Sequence, residues 1–402
     1  MGNTPNIRFK GFTDDWEQRK LSEIYQTIGN AFVGTATPYY VENGHFYLES
    51  NNVKDGQINR NSEIFINDEF YERQKDKWLH TGDMVMVQSG HVGHAAVIPE
   101  NLDNTAAHAL IMFKNPKGKV EPYFLNYQYQ TAKAKKQIDN ITVGNTIKHI
   151  LASDMQDFLV DVPEYDEQVK IAEYFRTLDH LITLHQRKCD EMKKMKKFML
   201  QKMFPKNGQK NPEIRFEGFT DDWEQRKLGE IALFNPKDEL PQTFEYVDLE
   251  SVVGTEMLSH RTEAKSSAPS RAQRLARTGD LFYQTVRPYQ KNNYLFEKFD
   301  NNYVFSTGYA QMRPYVDGYF LLSLVQSDRF VKVVLDHCTG TSYPAINAND
   351  LAEIEVAAPL DENEAQKIGT IFRNLDHLIT LHQRKVENLK NLKKYMLQNM
   401  FV

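Results

Sequence analysis

The stretch Phe175–Phe204 reads FRTLDHLITLHQRKCDEMKKMKKFMLQKMF, and Phe372–Phe401 reads FRNLDHLITLHQRKVENLKNLKKYMLQNMF. About 21 of these 30 positions are identical, so the chain of 402 residues contains an internal repeat. Apolar residues recur at spacings of three and four in both copies, and neither Pro nor Gly interrupts them. The pattern predicts two long amphipathic helices, each of about 37 residues and roughly 55 Å.

Each predicted helix has a narrow apolar seam that requires a partner. The two helices most simply pair with each other, as in a coiled coil. An antiparallel pair would carry one module at each end of a rod, related by an approximate two-fold axis. The expected seam comprises Leu178, Leu181, Ile182, His185, Cys189, Met192, Met195, Met199 and Met203 in the first helix, and Leu375, Leu378, Ile379, His382, Val386, Leu389, Leu392, Met396 and Met400 in the second.

A second repeat lies near the start of each half of the chain. NIRFKGFTDDWEQRKLSEI at Asn6–Ile24 returns as EIRFEGFTDDWEQRKLGEI at Glu213–Ile231, with about three differences in 19 positions. Nearly constant segments therefore enclose two divergent middle segments. Each middle segment has short β-rich runs between Gly, Pro and Asn breakers, and one predicted helix, near Pro122–Lys136 and at Tyr319–Leu335. This pattern is typical of an α+β module.

The repeats predict an α+β fold class: two modules joined by two long antiparallel coiled-coil helices, with a pseudo-two-fold internal repeat. We expect a first module at residues 1–165, a long helix at 166–204, a polar linker at 205–212, a second module at 213–361 and a second long helix at 362–402. Pro205 ends the first helix and opens the linker.

Three short motifs accompany the long repeats, and the first of them occurs in both halves. They are G-[NT]-[TS]-x-x-x-I at Gly144–Ile150 and Gly340–Ile346, V-R-P-Y at Val286–Tyr289, and P-x-x-x-E-Q at Pro163–Gln168, the entry to the first helix. With the doubled helices, the whole chain resembles the specificity subunit of type I restriction-modification systems. The second helix entry departs from the pattern, because Asp361–Ile368 reads DENEAQKI, which we interpret as a one-residue insertion at the helix start.

The resemblance implies a non-catalytic subunit that recognises a bipartite site in double-stranded DNA. Each module would be a target recognition domain for one half of the site, and the helices would set the spacer between the halves. Two methyltransferase subunits would dock on the helices, and nuclease-translocase restriction subunits would be added for cleavage of foreign DNA. Two readers at a fixed separation require two half-sites at a fixed distance.

DNA contacts require Lys and Arg for phosphates, and polar or cationic side chains on loops for base edges. The modules have such side chains beside glycines and at strand ends, although each can also belong to a solvated loop. The candidates are Gln88, Ser89, His91, Asn145, Thr146 and Lys148 in the first module, and Arg271, Arg274, Arg277, Gln284, Thr285, Arg287, Tyr289, Lys291, Ser342 and Tyr343 in the second.

Polar residues that recur unchanged in the constant segments are candidates for binding two identical partner subunits. Core packing does not explain their identity, although a recent duplication would. The candidates are Gln18, Arg19, Gln225 and Arg226, together with His185, Gln186, Arg187, His382, Gln383 and Arg384.

The sequence also argues against several classes of protein. It has no G-x-G loop for a methyl donor, no [ND]-P-P-[YF] and no phosphate-binding loop for ATP, so we expect no catalytic site and no cofactor. We expect no metal site either, because no Cys or Asp cluster supports His91 and His94, or His180 and His185. No apolar run is long enough to span a membrane, and the two cysteines form no C-x-x-C pair, so we expect a cytoplasmic protein.

Two other classes stay open at this point. A fused restriction-methyltransferase enzyme would bind a methyl donor by itself. A protein scaffold, whose modules bind peptides, would assemble without DNA and with little dependence on salt. DNA binding would weaken steeply with salt, because phosphate contacts release counterions. The net charge of −5 does not decide between them.

Overall fold

Two units make up the chain in the computed structural model, which describes residues 3–144, 148–206, 208–300, 302–340 and 343–402. The first unit consists of Met1–His185 and Lys385–Val402, and the second of Gln186–Arg384. Each contains sheets, short helices and parts of both long helices, which confirms the α+β class.

Short strands form the framework of the first unit. They are β1 (Glu17–Lys20), β2 (Tyr25–Asn30), β3 (Tyr40–Val41), β4 (His45–Leu48), β5 (Val53–Lys54), β6 (Gln57–Ile58), β7 (Phe65–Ile66), β8 (Met84–Val87), β9 (Ala95–Val97), β10 (Ala106–Ala107), β11 (Leu110–Pro116) and β12 (Leu159–Val162). One sheet has the order β2-β11-β8-β9 and another β10-β4-β7-β3, while β1 pairs with β12 and β5 with β6. Every side chain of β8 is buried, as its uninterrupted apolar sequence predicts.

Six helices accompany these strands in the described residues of the first half of the chain. They are α1 (Leu21–Ile24), α2 (Asp68–Arg73), α3 (Pro122–Gln128), α4 (Ala132–Ile141), α5 (Ala152–Gln156) and the long helix α6 (Tyr165–Lys202). The core of the first unit lies between α3, the sheet that contains β8 and the first turns of α6.

The second unit repeats this plan with different sheet details. Its strands are β13 (Glu224–Lys227), β14 (Ala232–Phe234), β15 (Thr243–Val247), β16 (Val252–Val253), β17 (Glu256–Met257), β18 (Arg261–Ala264), β19 (Ala272–Leu275), β20 (Leu281–Gln284), β21 (Tyr294–Leu295), β22 (Tyr303–Ser306), β23 (Tyr309–Pro314) and β24 (Glu355–Ala358). The order β14-β23-β20-β21 matches β2-β11-β8-β9 of the first unit, while the other four-stranded sheet has the order β18-β15-β22-β19.

The helices of the second half are α7 (Leu228–Ile231), α8 (Gly318–Gln326), α9 (Asp328–Asp336), α10 (Ala348–Ala352) and the long helix α11 (Glu362–Asn399). The prediction of one helix at Tyr319–Leu335 was therefore wrong, as was the prediction near Pro122–Lys136. Each region is two helices, because Ser327 and Thr131 leave the helical conformation and accept hydrogen bonds from the backbone N–H groups of Phe330 and Ala134. Both residues act as N-caps of a second helix.

Within the first unit, α6 and the end of α11 pack together in antiparallel orientation. The Lys393 Nζ lies 2.7 Å from Asp179 Oδ1, and the rings of Phe175 and Phe401 are 5.8 Å apart. Residue numbers therefore fall along α6 as they rise along α11, as the sequence predicted.

The second unit contains the corresponding arrangement. The Lys196 Nζ lies 2.6 Å from Asp376 Oδ1, and the rings of Phe204 and Phe372 are 6.0 Å apart. The repeated sequence therefore forms the same ion pair and the same aromatic contact in both units.

The buried seam differs from the predicted one at three positions. Met195, Leu378 and Leu392 are 48%, 39% and 41% exposed. The seam passes through Lys196 and Lys393 instead, whose aliphatic stems pack at the helix contact while their amino groups reach carboxylates. A search for apolar residues at helical spacing does not find Lys196 and Lys393, because lysine is classed as polar.

The extra residue expected at the start of the second long helix lies outside it. Glu167 and Glu364 are both the third residue of their helix. Ala365 therefore occupies the position of Gln168, and the additional residue belongs to the turn after Pro359. The helix registers of the two copies are the same.

Each copy of the repeat at Asn6–Ile24 and Glu213–Ile231 has an arginine that binds a long helix. Arg8 donates two hydrogen bonds to Glu167, at 2.7 and 2.8 Å, and Arg215 donates two to Glu364 at the same distances. The two glutamate side chains are 0% and 1% exposed. These buried bidentate pairs explain why I-R-F recurs before each module.

Candidate nucleic-acid interface

Two separate candidate stretches come together in the first unit. The loop at residues 88–94 connects β8 to β9, and the amide of Gly90 donates to the carbonyl of Lys148 at 3.1 Å. The amide of Ile150 donates to the carbonyl of Gln88 at 2.9 Å. We call this loop, with residues 143, 144 and 148–150, the first loop site.

The second unit has the same backbone arrangement. The loop at residues 285–293 connects β20 to β21, and the amide of Arg287 donates to the carbonyl of Pro344 at 2.8 Å. The amide of Ile346 donates to the carbonyl of Thr285 at 3.0 Å. We call this loop, with residues 339, 340 and 343–346, the second loop site.

One position of the two loop sites shows how the same backbone presents different chemistry. Gly90 has φ of 78°, and the corresponding Arg287 has φ of 54°. A left-handed backbone suits glycine and is uncommon for arginine. The second unit thus keeps a costly conformation at a position where it presents a guanidinium group, which favours a functional role for that side chain.

In the first loop site the predicted residues differ in accessibility. His91 and Lys148 are exposed, and Ser89 is half-buried. The Lys148 Nζ lies 3.7 Å from Asp139 Oδ1, an exposed pair that restrains it little. Gln88 is buried, so its side chain is not presented to a ligand in this conformation.

In the second loop site Gln284 and Thr285 are buried supports. The Gln284 amide group donates to the carbonyl of Val286 at 2.6 Å and to Gln290 Oε1 at 2.9 Å. The Thr285 hydroxyl donates to the carbonyl of Gly308 at 2.8 Å. The Gln284 NH2 group and the Thr285 hydroxyl therefore help to hold the loop in place, while the buried Gln284 Oε1 has no hydrogen-bond partner among the described residues.

Half-buried Arg287 and the exposed Tyr289 and Tyr343 give the second loop site an aromatic and cationic surface. The Arg287 guanidinium lies over the Tyr343 ring, 4.4 Å from its centroid, and Tyr343 is 63% exposed. Tyr289 is also exposed. Lys291 forms an ion pair with Asp328. Arg287 and the two tyrosines are therefore the side chains best placed to meet a base edge.

The three predicted arginines near β19 lie on another sheet and have different surroundings. Arg271 is exposed, and its backbone carbonyl accepts a hydrogen bond from the amide of Thr307. Arg277 forms an ion pair with Asp238. Arg274 is half-buried, desolvation lowers its pKa, and its Nε has no hydrogen-bond partner among the described residues. Arg271 is the arginine of this group that hydrogen bonding links to the second loop site, because Thr307, which donates to it, precedes the Gly308 that accepts from Thr285.

Three further predicted DNA-binding residues, Asn145, Thr146 and Ser342, lie outside the described residues. They are predictions from the sequence only. Their neighbours Lys148 and Tyr343 belong to the two loop sites.

The predicted partner-binding residues lie on two kinds of surface. Gln18 and Arg19 are exposed on β1, and Gln225 and Arg226 occupy the same places on β13. On the long helices, Gln186, Arg187, Gln383 and Arg384 are exposed, while His185 and His382 are half-buried. Gln186 and Arg187 contact acidic residues one turn further along α6, Asp190 and Glu191.

Sequence reasoning missed a second exposed feature of the long helices. Met195 and Phe198 on α6 are 48% and 47% exposed, and Leu392 and Tyr395 on α11 are 41% and 55% exposed. Each pair sits three residues apart, at the same positions of the repeated helix. The signal was present in the sequence, because both copies have apolar residues off the seam. We call these the exposed apolar pairs.

Groups of three or more metal-ligating side chains do not occur in the described parts of the chain. The rings of His91 and His94 are 6.4 Å apart, and desolvation lowers the pKa of His94. Among the described residues, no helix is long and apolar enough to cross a membrane.

The side chain of Arg287 provides a test of the second loop site. Arg287→Gly keeps a backbone that the first unit already has at Gly90, so the loop should fold normally. Arginine commonly reads guanine by two hydrogen bonds, worth about 1–3 kcal/mol. We expect affinity to fall by roughly 10- to 100-fold at one half of the recognised DNA sequence, measured with duplexes in which either half is scrambled. Arg261→Gly, at an exposed arginine already paired with Asp248, is the control; equal losses in both variants would contradict a reading role.

Comparison with known proteins identifies sequence relatives. Residues 13–194 match the family described as the type I restriction modification DNA specificity domain. The chain is 22% identical to the MjaX type I restriction enzyme specificity subunit of Methanocaldococcus jannaschii, over 95% of this chain and 91% of that protein. It is 24% identical to the HindI specificity subunit of Haemophilus influenzae, over 45% of this chain and 41% of that protein.

Solved structures share the fold at low sequence identity. The crystal structure of the S subunit of a type I restriction-modification system from M. genitalium superposes with a TM-score of 0.67, at 14% identity and 99% coverage of both chains. A chain from a structural study of assembly and conformational transition of the type I system gives 0.51, at 16% identity, covering 98% of this chain and 99% of that one.

Proposed function

Because the chain belongs to the DNA specificity subunits of type I restriction-modification systems, we propose that its two loop sites read the two halves of one split DNA sequence. The subunit recognises DNA and is not the catalytic component. The observation that carries the proposal is the pair of matching backbone hydrogen bonds at Gly90 and Arg287, and at Ile150 and Ile346. They hold the same loops in both units while the side chains differ.

The chemistry of the loop sites supports different half-sites for the two units. The first presents two polar side chains, Ser89 and His91, and the ammonium group of Lys148. The second presents Arg287 stacked on Tyr343. Arginine and lysine both suit guanine in the major groove, whereas a serine hydroxyl suits several bases. Different side chains on one scaffold give two independent specificities.

In this proposal, each exposed apolar pair binds one copy of a methyltransferase subunit. Met195 with Phe198, and Leu392 with Tyr395, are apolar surfaces at the same positions of the two repeated helices. Two equal surfaces suit two equal partners, and buried aromatic residues often dominate binding energy. The predicted polar residues Gln18, Arg19, Gln225 and Arg226 would lie at the rim of such contacts, with nuclease-translocase subunits joining for cleavage.

Replacing one aromatic residue of each exposed apolar pair should weaken assembly. Phe198→Glu with Tyr395→Glu removes two central anchors, each worth at least about 2 kcal/mol if it is a binding hot spot. We expect the methyltransferase to bind at least 30-fold more weakly in pull-down titrations and calorimetry, while affinity of the chain for DNA stays the same. Leu258→Glu, at a residue 64% exposed in the second module, should leave assembly intact. Normal assembly of the double variant would exclude this docking surface.

The long helices should determine the gap between the two half-sites. Removing four residues from the middle of α6 and four from the middle of α11 shortens each by about 6 Å, or roughly two base pairs at 3.4 Å per step. We expect the preferred gap to contract by about two base pairs while both half-sites stay the same, as read from binding to a library of gap lengths. An unchanged gap would show that the helices do not set it.

The experiment that tests the proposed function is a methylome. The chain is expressed with its methyltransferase partner in a host that lacks DNA methylation, and modified positions are read by long-read sequencing. A single split motif that disappears when this chain is omitted is the expected result. Methylation that persists without the chain, or none with an active methyltransferase, would favour the protein scaffold.

A further inference from the structure

Each unit contains a basic cleft that the loop sites do not explain. In the first unit the cleft has a volume of about 620 Å³ and lies between Lys390–Gln398 of α11 and Gln130–Ala132. In the second unit it has a volume of about 310 Å³ and lies between Lys193–Gln201 of α6 and Gln326–Arg329. We call them the first and second clefts.

The two clefts are built from the same positions of the repeat. The long helix contributes K-x-x-K-K-x-x-L-Q in both, from residues 390–398 and 193–201. The module contributes the break between its two helices, where Thr131 caps α4 and Ser327 caps α9. A cleft that recurs with the same lysines in two divergent modules is a property of the shared scaffold and not of one recognition sequence.

Positive charge predominates in both clefts. Four lysines and two aspartates line the first, and four lysines, one arginine and one aspartate line the second. The middle lysine of each helix row is neutralised, because Lys393 pairs with Asp179 and Lys196 pairs with Asp376. The arginine, Arg329, donates to backbone carbonyls at the end of α6.

Four lysines on the long helices form no ion pair with a carboxylate of the described residues. Lys390 and Lys394 in the first cleft, and Lys193 and Lys197 in the second, are exposed and have no carboxylate within 4.0 Å in the part of the chain that the structure describes. In each cleft the two lysines are four residues apart, so their side chains project from one face of the helix. Each cleft therefore presents two helix lysines that form no ion pair among the described residues, and Lys135 of α4 adds a third such lysine to the first cleft.

The clefts adjoin the loop sites within their own units. Val92–Ala95, the last part of the loop at residues 88–94 and the start of β9, line the first cleft. Lys291, from the loop at residues 285–293, lines the second. A strand of DNA whose bases meet a loop site would have its backbone next to the lysines of that unit.

The free lysines and the exposed apolar pairs lie on different sides of the same helix. At 100° per residue, Lys193 and Lys197 centre about 150° from Met195 and Phe198. The same relation holds on α11, because the positions repeat. One helix can thus present its apolar side to a protein while its lysine side is accessible to DNA.

We propose that each cleft holds the phosphate backbone of the bound DNA, through Lys390 and Lys394 in the first unit and through Lys193 and Lys197 in the second. This inference rests on the proposed function and adds the contacts that position the DNA at each loop site. Phosphate contacts fix register and supply affinity that does not depend on sequence. Because the lysines belong to the repeated helix, any pair of recognition modules would receive the same two clamps.

The test measures the salt dependence of DNA binding by the full chain. Variants Lys193→Gln/Lys197→Gln and Lys390→Gln/Lys394→Gln are compared with the wild type on a duplex with the methylome-derived motif and on a scrambled duplex. Each lost phosphate contact should lower the slope of log affinity against log salt by about 0.9. We expect a slope smaller by about 2 in each double variant and by about 4 in the fourfold variant, with roughly 10- to 100-fold weaker binding per double variant at 0.1 M salt.

Matched controls remove the same charge from the same helices outside the clefts. Lys194→Gln/Lys332→Gln, on α6 and α9, and Lys136→Gln/Lys385→Gln, on α4 and α11, change exposed lysines that do not line either cleft. Their slopes should stay close to that of the wild type. Lys193→Arg/Lys197→Arg keeps the charge and should keep the slope, which separates loss of contact from loss of folding.

The outcomes distinguish this inference from the proposed function. If the cleft variants keep the wild-type slope and the motif is still preferred, or if the controls lose as much, the inference is wrong and the proposed function stands. If the cleft variants keep the slope but lose the methyltransferase, the clefts bind an acidic protein surface instead. If the wild-type chain shows no salt-dependent binding to DNA, the proposed function itself fails.

Discussion

Replacing Arg8 with alanine should unfold the first unit at much lower denaturant concentration than the wild type. The variant leaves the Glu167 carboxylate, which is 0% exposed, without its bidentate partner. Removing one member of a buried ion pair costs about 3–5 kcal/mol, because the remaining charge stays desolvated. Hydrogen exchange of each unit under increasing denaturant measures the loss, and it should appear only in the first unit.

The chain supplies three controls for this result. Arg215→Ala breaks the equivalent pair with Glu364 and should destabilise only the second unit. Arg19→Ala breaks an exposed pair with Glu17 and should cost no more than about 1 kcal/mol. Replacing Arg8 and Glu167 together by methionine removes both charges and should restore much of the lost stability. A change below about 1 kcal/mol for Arg8→Ala would mean that water reaches Glu167.

Phe401→Ala should have an effect of similar size on the same unit. Phe401 is 6% exposed, and its ring lies 6.1 Å from Trp16, 5.4 Å from Phe124 and 5.8 Å from Phe175. Truncating a buried phenylalanine costs about 3–5 kcal/mol, from lost apolar burial and from the cavity that it leaves. Protection of the first unit against proteolysis and hydrogen exchange should fall accordingly.

Phe204 is the matched position in the second unit. Its ring lies 6.2 Å from Trp223, 5.6 Å from Phe320 and 6.0 Å from Phe372. Phe204→Ala should therefore destabilise the second unit and leave the first unaffected. Tyr395→Ala, which removes a side chain 55% exposed, should change stability by no more than about 0.5 kcal/mol. If Phe401→Ala weakened both units equally, the end of the chain would not belong to the first core alone.

The repeats carried most of what the sequence predicted about the fold. Duplicated long helices, their antiparallel pairing and two α+β modules were all predicted from the copies around Phe175 and Phe372. The helix breaks at Thr131 and Ser327 were missed because a capping hydroxyl and a surface serine or threonine look alike in one sequence. Met195 and Leu392 were assigned to the seam because periodicity counts apolar letters, whereas lysine stems fill the contact.

The sequence predicted which stretches form the candidate site better than it predicted which of their side chains are exposed. The stretches around Ser89 and Lys148 were both chosen, but their meeting depends on backbone hydrogen bonds between segments about 60 residues apart, which no local pattern encodes. Gln88 follows a buried strand and Gln284 ends one, and only the folded structure shows that both side chains are buried. The lysine rows of the clefts indicate no site in the sequence alone, because the module surface opposite them comes from distant residues.

The division of the first unit into two separated segments has a consequence for how the chain is made. Residues 385–402, which complete the first core, leave the ribosome after all of Gln186–Arg384. At about 5–20 residues per second, roughly 200 intervening residues delay them by about 10–40 s. The unit that starts first is thus completed last, and a nascent chain cannot present two finished DNA readers until translation has passed the second one.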